Sequence, residues 1–389
     1  MVFLGSEGFP LVFSIFLESE LTPFMNNELT IFNYEDPSLY KTIWSVIEVF
    51  SDIKNAHTIF FSADGGLNTL GIENLKDIEG QLASDKRNLV RLSSTRELLQ
   101  REERDNHLVS NRKSYPNIVL YGGLDYDAPL NPNNDGPKET NKEAVKTREI
   151  TRGNAKRSFI SNAQYLPGTL EEVNLLSEKF KNSNVRQYTG KNGTEQSIIL
   201  MANYHPNLLH IATHGFYYDA KRDVDNTENI HKSTVLTNIN DSSLSSETKA
   251  MKGTGLLFSG ANHSLNGEVP YDVNNDGILT AEELANIELN EIDIAVLSAC
   301  ETGLGAISEE GVFGLQRGFK LAGVNSILMT LWKVDDDATQ RLMQYFYDNL
   351  IKGESKVRSL KLAQDKLKAT PGFEDPEFWA AFILLDAMD

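Results

Sequence analysis

The amino-acid sequence predicts an α/β protein built on a mostly parallel sheet with helices on both faces. Three observations carry this. Short, unbroken apolar runs recur along the chain, the pattern of strands buried on both sides. Segments with apolar residues at helical spacing separate them. And 389 residues, 40% hydrophobic and 24% charged, are enough to enclose a large core.

Residues 1–36 carry no clear pattern and fit either an edge hairpin or the remnant of an upstream domain, so the domain proper is placed at 37–389. SLYKTIWSVIEVFS (38–51) spaces Leu39, Ile43, Trp44, Val46, Ile47 and Phe50 as one helix face, with Asp36 or Ser38 as N-cap. HTIFFSADGGLNTL (57–70) reads as a strand and turn, and residues 95–109 as a charged amphipathic helix. NIVLYGGLDYD (117–127) is a buried strand ending in glycines, followed by a polar loop over 128–160. LPGTLEEVNLLSEKF (166–180) predicts a helix with Leu170, Val173, Leu176 and Phe180 inward. VRQYTG is a strand, TEQSIILMA a helix, NLLHIATHG (207–215) a buried strand, and 219–252 a second polar insertion. Then come a strand over 291–300, a helix over 309–323, a strand over 325–332, helices over 338–353 and 354–369, and a final strand over 377–386. In such sheets, ligands meet the carboxyl ends of the strands.

Composition narrows the function. Acidic residues number 55 against 37 basic ones, a net charge of −18, which argues against direct nucleic-acid binding and suits a basic partner. A single cysteine, Cys300, excludes an internal disulfide. The apolar start is interrupted by Glu7, Gly8 and Pro10, with no basic residue before Lys41, so it is not a signal peptide. No apolar stretch reaches the ~18 residues of a membrane span. A cytoplasmic setting without membrane contact is the expectation.

Two strand ends carry candidate chemistry. HIATHG places His214 and Gly215 just past one strand, and VLSACETGLG places Cys300 at the tip of another. A lone histidine or cysteine there serves packing more often than catalysis. The two together, on neighbouring strands, would give a thiol nucleophile its base, with the backbone N–H groups of Gly215 and Cys300 as oxyanion donors. Ser298 and Glu301 flank the nucleophile without an assigned role. The remaining histidines, His57, His107, His205, His210, His231 and His263, show no ligand spacing and read as structural or exposed. Asp272, Asn274, Asp276, the Ile278 carbonyl and Glu283 match the calcium-loop pattern D-x-[DN]-x-[DN]-G-x5-E. Against a cation, SGANHSLNGEVPY cannot be an entering helix, and Thr280 with Glu283 forms a capping box. No cofactor is required, and calcium is the one candidate.

HIATHGFY, LLFSGAN (256–262), DGILTAEELANIEL (276–289), VLSACETGLGAISEEGVFGLQRGFKLAGVNSILMTLWKVDDDAT (296–339) and the closing FWAAFILLD resemble, in order and spacing, the CHAT family of caspase-like cysteine peptidases. Members are often fused to tetratricopeptide repeats and are related in fold to caspases and separases. The resemblance covers roughly 37–389. It implies a caspase-like sheet, a His214–Cys300 dyad, and Gly215 and Cys300 amides as oxyanion hole. It also implies a cysteine endopeptidase acting on protein substrates, regulated by a partner protein or sensor in bacterial stress, defence or cell death. The rival reading is a silent interaction module. Related folds build the first specificity pocket from the segment holding Trp332, Asp335, Asp336 and Asp337. A buried acid there would select arginine or lysine, while the alternative is that the aspartates cap the next helix and Trp332 is plain core. The loop 128–160, with Lys156 and Arg157, fits an activation loop or a solvated loop. The departure from the family is upstream, where no helical repeat precedes the domain and residues 1–36 match nothing recognisable.

Overall fold

The computed structural model describes residues 2–3, 11–12, 34–98, 115–130, 162–217, 243–268, 275–298, 306–308 and 311–388. Eight strands form one sheet: β1 (Thr58–Ser62), β2 (Asn88–Leu92), β3 (Asn117–Leu124), β4 (Asn184–Gly190), β5 (Leu208–Ile211), β9 (Ile294–Leu297), β10 (Ser326–Thr330) and β11 (Phe382–Leu385). Their spatial order is β1-β2-β11-β10-β9-β5-β3-β4. Every neighbouring pair is parallel except β10 and β11. The sheet is therefore two parallel blocks of opposite direction, joined at the β10–β11 seam. A second, antiparallel sheet consists of β6 (Gly215–Tyr217), β7 (Thr254–Leu257) and β8 (Ile278–Thr280).

Alternation along the central strands divides the core in two. Ile118, Leu120, Leu208, Ile294, Val296 and Leu328 face helices α1 (Pro167–Lys179), α5 (Asp336–Ile351) and α6 (Lys356–Lys368). Val119, Tyr121, Leu209, Ile211, Ala295 and Leu297 face α2 (Glu195–Met201), α4 (Leu315–Leu321) and the small sheet. Helices thus cover both faces as expected, with the small sheet completing the second cover.

Several elements differ from expectation for local reasons. The first helix starts as read, with Asp36 accepting from the Ser38 N–H at 2.8 Å and Pro37 at its first turn, but after Pro37–Tyr40 it widens into a π turn, Lys41–Ser45. A separate helix follows at Ser51–Asn55. Residues 311–313 are extended and paired with 306–308, so the helix expected over 309–323 begins only at Leu315. The expected strand over 377–386 opens instead as a helical turn, Pro376–Trp379, capped by Asp375, and only Phe382–Leu385 is strand. The insertion over 219–252 ends in helix α3 (Ser246–Lys252), capped by Ser245 and burying Ala250 and Met251. Residues 131–161 and most of the helix expected over 95–109 lie outside the described residues.

Tyr34, 0% exposed, packs on Trp332 with ring centroids 5.4 Å apart and accepts from the Gly71 N–H at 2.8 Å, so the chain before Pro37 contributes to the core. On β2, Arg91 is 2% exposed. It donates twice to Glu73, at 2.8 and 2.7 Å, and once to the Leu70 carbonyl at 2.6 Å.

The glycines ending β3 have a packing role. A Cβ at Gly122 would stand 2.4 Å from the Thr169 carbonyl oxygen, so only glycine lets β3 pass beneath the first turn of α1. Gly123, at φ +60°, turns its N–H onto the Thr169 hydroxyl at 2.8 Å. Gly122→Ala is expected to push α1 away and destabilise by about 1–3 kcal/mol, read as a lower denaturant midpoint. An unchanged midpoint would show that α1 yields freely.

Candidate active site

The carboxyl ends of β5 and β9 meet at the middle of the sheet. The strands are adjacent and parallel, with Ile294 opposite Leu208 and Leu297 opposite Ile211. His214 follows Ile211 by three residues, and Cys300 follows Leu297 by three. The neighbourhood expected of the two strands is therefore present. Cys300 itself, with the thiol–imidazole distance, lies outside the described residues.

His214 is held from several sides. Its backbone carbonyl accepts from the Leu257 N–H at 2.9 Å, at the end where β7 pairs antiparallel with β6. The preceding Thr213 donates to the Leu257 carbonyl at 2.5 Å and shares a 2.8 Å hydrogen bond with the Tyr126 hydroxyl. Tyr126 also lies against the imidazole, with ring centroids 5.2 Å apart. The ring Nε2 stands 2.8 Å from the Gln164 carbonyl oxygen, so it carries a proton and donates. That leaves Nδ1 as the basic nitrogen. Burial lowers the imidazole below the ordinary histidine value, partly offset by the Gln164 carbonyl, while Lys333 lowers it and Asp336 raises it further. Gly215 opens β6 opposite Leu256 and is partly exposed.

Gln164 and Tyr126 were not expected here. The Gln164 contact is made by a backbone carbonyl and leaves no mark on side-chain type. Tyr126, beside the Asp125–Asp127 turn after β3, could have been found as an aromatic at a third carboxyl strand end.

The aspartates resolve into different duties. All three are exposed, which removes the buried pocket acid expected of them. Asp335 caps α5, accepting from the N–H groups of Asp337 at 3.0 Å and Ala338 at 3.1 Å. Asp337 pairs with Arg341 at 3.0 Å, one turn on. Asp336 is the one whose charge reaches His214. Trp332 donates from Nε1 to the Glu377 carbonyl at 3.0 Å and packs on Tyr34. Asp335→Ala should therefore cost about 1 kcal/mol of stability, measured by thermal melting, and Asp335→Asn much less.

Of the calcium-loop residues, Asp272 and Asn274 lie outside the described residues. Asp276 accepts from the Ile278 N–H at 2.8 Å, and Glu283 accepts from the Thr280 N–H and hydroxyl at 2.8 and 2.7 Å, closing the capping box. Among the described residues, no three His, Cys, Asp or Glu side chains are placed to hold a metal. The buried Glu195 of α2 instead accepts from the N–H groups of Asp276 and Gly277, at 3.0 and 3.2 Å. Burial and the neighbouring carboxylates raise both Glu195 and Asp276 well above the ordinary carboxylate range. The folded chain thus binds more protons here than the unfolded chain above that range, and stability falls as pH rises through it. Glu195→Gln keeps an acceptor for both N–H groups and is expected to raise the melting temperature at pH 8 and flatten its decline from about pH 5 upward. An unchanged pH dependence would show that another group governs it.

A mainly parallel sheet covered on both faces, with an imidazole fixed at a central carboxyl edge, defines the class: an α/β protein whose candidate site lies at its strand ends. The chain belongs to the CHAT domain family, whose pattern it matches over residues 37–387. It is also 31% identical over 108 residues to tetratricopeptide repeat protein 28 of Mus musculus, and 28% identical over 108 residues to that of Homo sapiens. Each match spans 28% of this chain and 4% of the length of that relative. Among solved structures it is similar to the Arg-specific cysteine proteinase gingipain R, at TM-score 0.38 and 9% identity over 95% of this chain and 74% of that one. It is similar too to the complex of RgpB pro- and mature domains of Porphyromonas gingivalis, at TM-score 0.42 and 9% identity over 95% and 75%. No helix among the described residues is long and apolar enough to cross a membrane.

Proposed function

We propose that this chain is a cysteine endopeptidase that cleaves protein substrates through His214 and Cys300. One observation carries the reading: adjacent parallel strands in register, each with its reactive residue three positions past the last paired one. Nε2–H donates to Gln164, so Nδ1 is the nitrogen free to act on the thiol. Because burial holds the imidazole below its ordinary value, it is in the base form at neutral pH.

In the first step Nδ1 accepts the Cys300 thiol proton and the sulfur attacks the scissile carbonyl carbon. The oxyanion is received by the backbone N–H groups of Gly215 and Cys300. The C–N bond then breaks as His214 returns the proton to the leaving amine, giving a thioester. Water, deprotonated by the same nitrogen, hydrolyses the thioester and restores the thiol. Asp336 is solvent-exposed, but its charge acts on His214, and it gives a modest preference for arginine or lysine at the cleavage point rather than the strong selection of a buried acid. Control by a partner protein or upstream sensor, as in bacterial stress, defence or cell-death systems, completes the reading.

The test is covalent labelling by peptides with a thiol-directed electrophile at the carboxyl end, in the wild type and in His214→Ala. Labelling of Cys300 that depends on His214, and is faster with arginine than with leucine before the electrophile, is the expected result. Equal, slow labelling of both proteins would instead favour a module that only docks other proteins.

A further inference from the structure

Beneath the two strand ends lies a buried polar chain that the dyad chemistry does not use. Glu172, on the inner face of α1, is 5% exposed. One of its oxygens stands 3.2 Å from Nε2 of His210 on β5, and the other accepts from the Ser298 hydroxyl, just past β9, at 3.0 Å. The other nitrogen of His210 is 3.0 Å from the Tyr347 hydroxyl of α5. His210 is 0% and Ser298 6% exposed. His210 Nδ1 accepts from Tyr347. Nε2 and the Glu172 oxygen facing it lie close without the alignment of a hydrogen bond and have no other hydrogen-bond partner among the described residues, which leaves a short polar contact between them.

The placement decides what this chain can do. Among described residues, the backbone ladder between β5 and β9 ends with the Ser298 N–H donating to the Ile211 carbonyl at 2.9 Å. Glu172 grips one side chain from each strand at that point. His210 precedes His214 by four residues, and Ser298 precedes Cys300 by two, at most ~7 Å of extended chain. A buried carboxyl is an expensive brace, since apolar side chains would fill the space more cheaply. What it provides that they would not is a polar link to both strands: a directional hydrogen bond to Ser298 and a 3.2 Å contact to the His210 ring.

We propose that Glu172 is a positioning residue for the dyad, a carboxylate cross-brace that sets the carboxyl ends of β5 and β9 so that His214 and Cys300 meet. The inference rests on the His214–Cys300 reading and adds to it a residue that touches neither the thiol nor the substrate. It acts through Ser298 on one side and His210 on the other.

Because Cys300 is the only thiol in the chain, its alkylation by iodoacetamide reports the dyad without any substrate. The rate at pH 7 is measured in the wild type, in Glu172→Gln, Ser298→Ala and His214→Ala, and in Glu172→Gln and Ser298→Ala each combined with His214→Ala, after melting curves establish folding. The expected result is slowing by about tenfold to a hundredfold in Glu172→Gln, a smaller slowing in Ser298→Ala, and no further slowing when either is combined with His214→Ala. If Glu172→Gln does not fold, the Ser298→Ala cycle decides alone. Equal slowing with and without His214 would overturn the proposal in favour of a general loosening of the core, as would a rate unaffected by either variant. A rate indifferent to His214→Ala itself would remove the dyad, and the brace with it. That outcome is distinct, because it is seen without touching Glu172.

Discussion

Cys300→Ala is expected to abolish peptide cleavage, with a loss of at least about a thousandfold, and His214→Ala to approach the same floor, because nucleophile and base act as a unit. Neither change should prevent folding, since the backbone bond from Leu257 and the Thr213 hydrogen bonds to Leu257 and Tyr126 remain when the imidazole's contacts with Gln164 and Tyr126 are lost. The measurement is turnover of a fluorogenic peptide beside a melting curve. In the wild type, burial of His214 should place the acid limb of kcat/KM below the ordinary histidine value near 6.5. Turnover retained in Cys300→Ala would end the thiol mechanism.

The second large effect concerns stability. Arg91→Leu should destabilise by about 3–5 kcal/mol, because it leaves Glu73 and the Leu70 carbonyl without their buried donor. The Glu73 side chain is 15% exposed, so part of its charge can rehydrate, which favours the lower end of that range. Arg91→Leu combined with Glu73→Leu is expected to recover much of the loss, since the pair then leaves together. Denaturant midpoints of the two singles and the double measure this directly. A single-variant loss below about 1 kcal/mol would mean the pair behaves like a surface ion pair despite its burial.

Much of the sheet was legible because a strand covered on both faces must be apolar at every position. IAVL satisfies that rule outright, and SILMT and LLHI do so apart from Ser326, Thr330 and His210; all three strands are buried throughout. The same rule hides direction. Phe382–Leu385 is as apolar as its neighbours, and nothing in four such residues says that it runs against β10. The small sheet was missed because GFY, TGLL and ILT are too short to show alternation. Gly311–Phe313 was absorbed into a helix because its apolar residues sit in phase with those of α4.

The site divides in the same way. His214 was legible as a polar residue ending an apolar strand, whereas its carbonyl partner at Gln164 has no side-chain signature. Glu172 was within reach: it lies four residues before Leu176, on the inward face already assigned to Val173 and Leu176. An acid on that face is a conflict that burial alone does not explain. His210 was read as structural or exposed, and it is structural in that it sits inside the core, hydrogen-bonded to Tyr347 on one side and 3.2 Å from Glu172 on the other.

The β10–β11 seam has a kinetic consequence. Residues 58–92 form β1 and β2, and among the described residues they join the rest of the main sheet only through β11 at residues 382–385. Until that segment leaves the ribosome, β2 and β10 each present an open edge, and the early pair cannot join the later block. Closure therefore waits on contacts nearly three hundred residues apart, such as the Asp386 N–H on the Arg91 carbonyl at 2.8 Å and the Asp386 carboxylate on the Ser93 N–H at 2.8 Å. Such long-range pairing makes folding slow and late, and leaves the nascent chain exposed to edge-to-edge association while it waits.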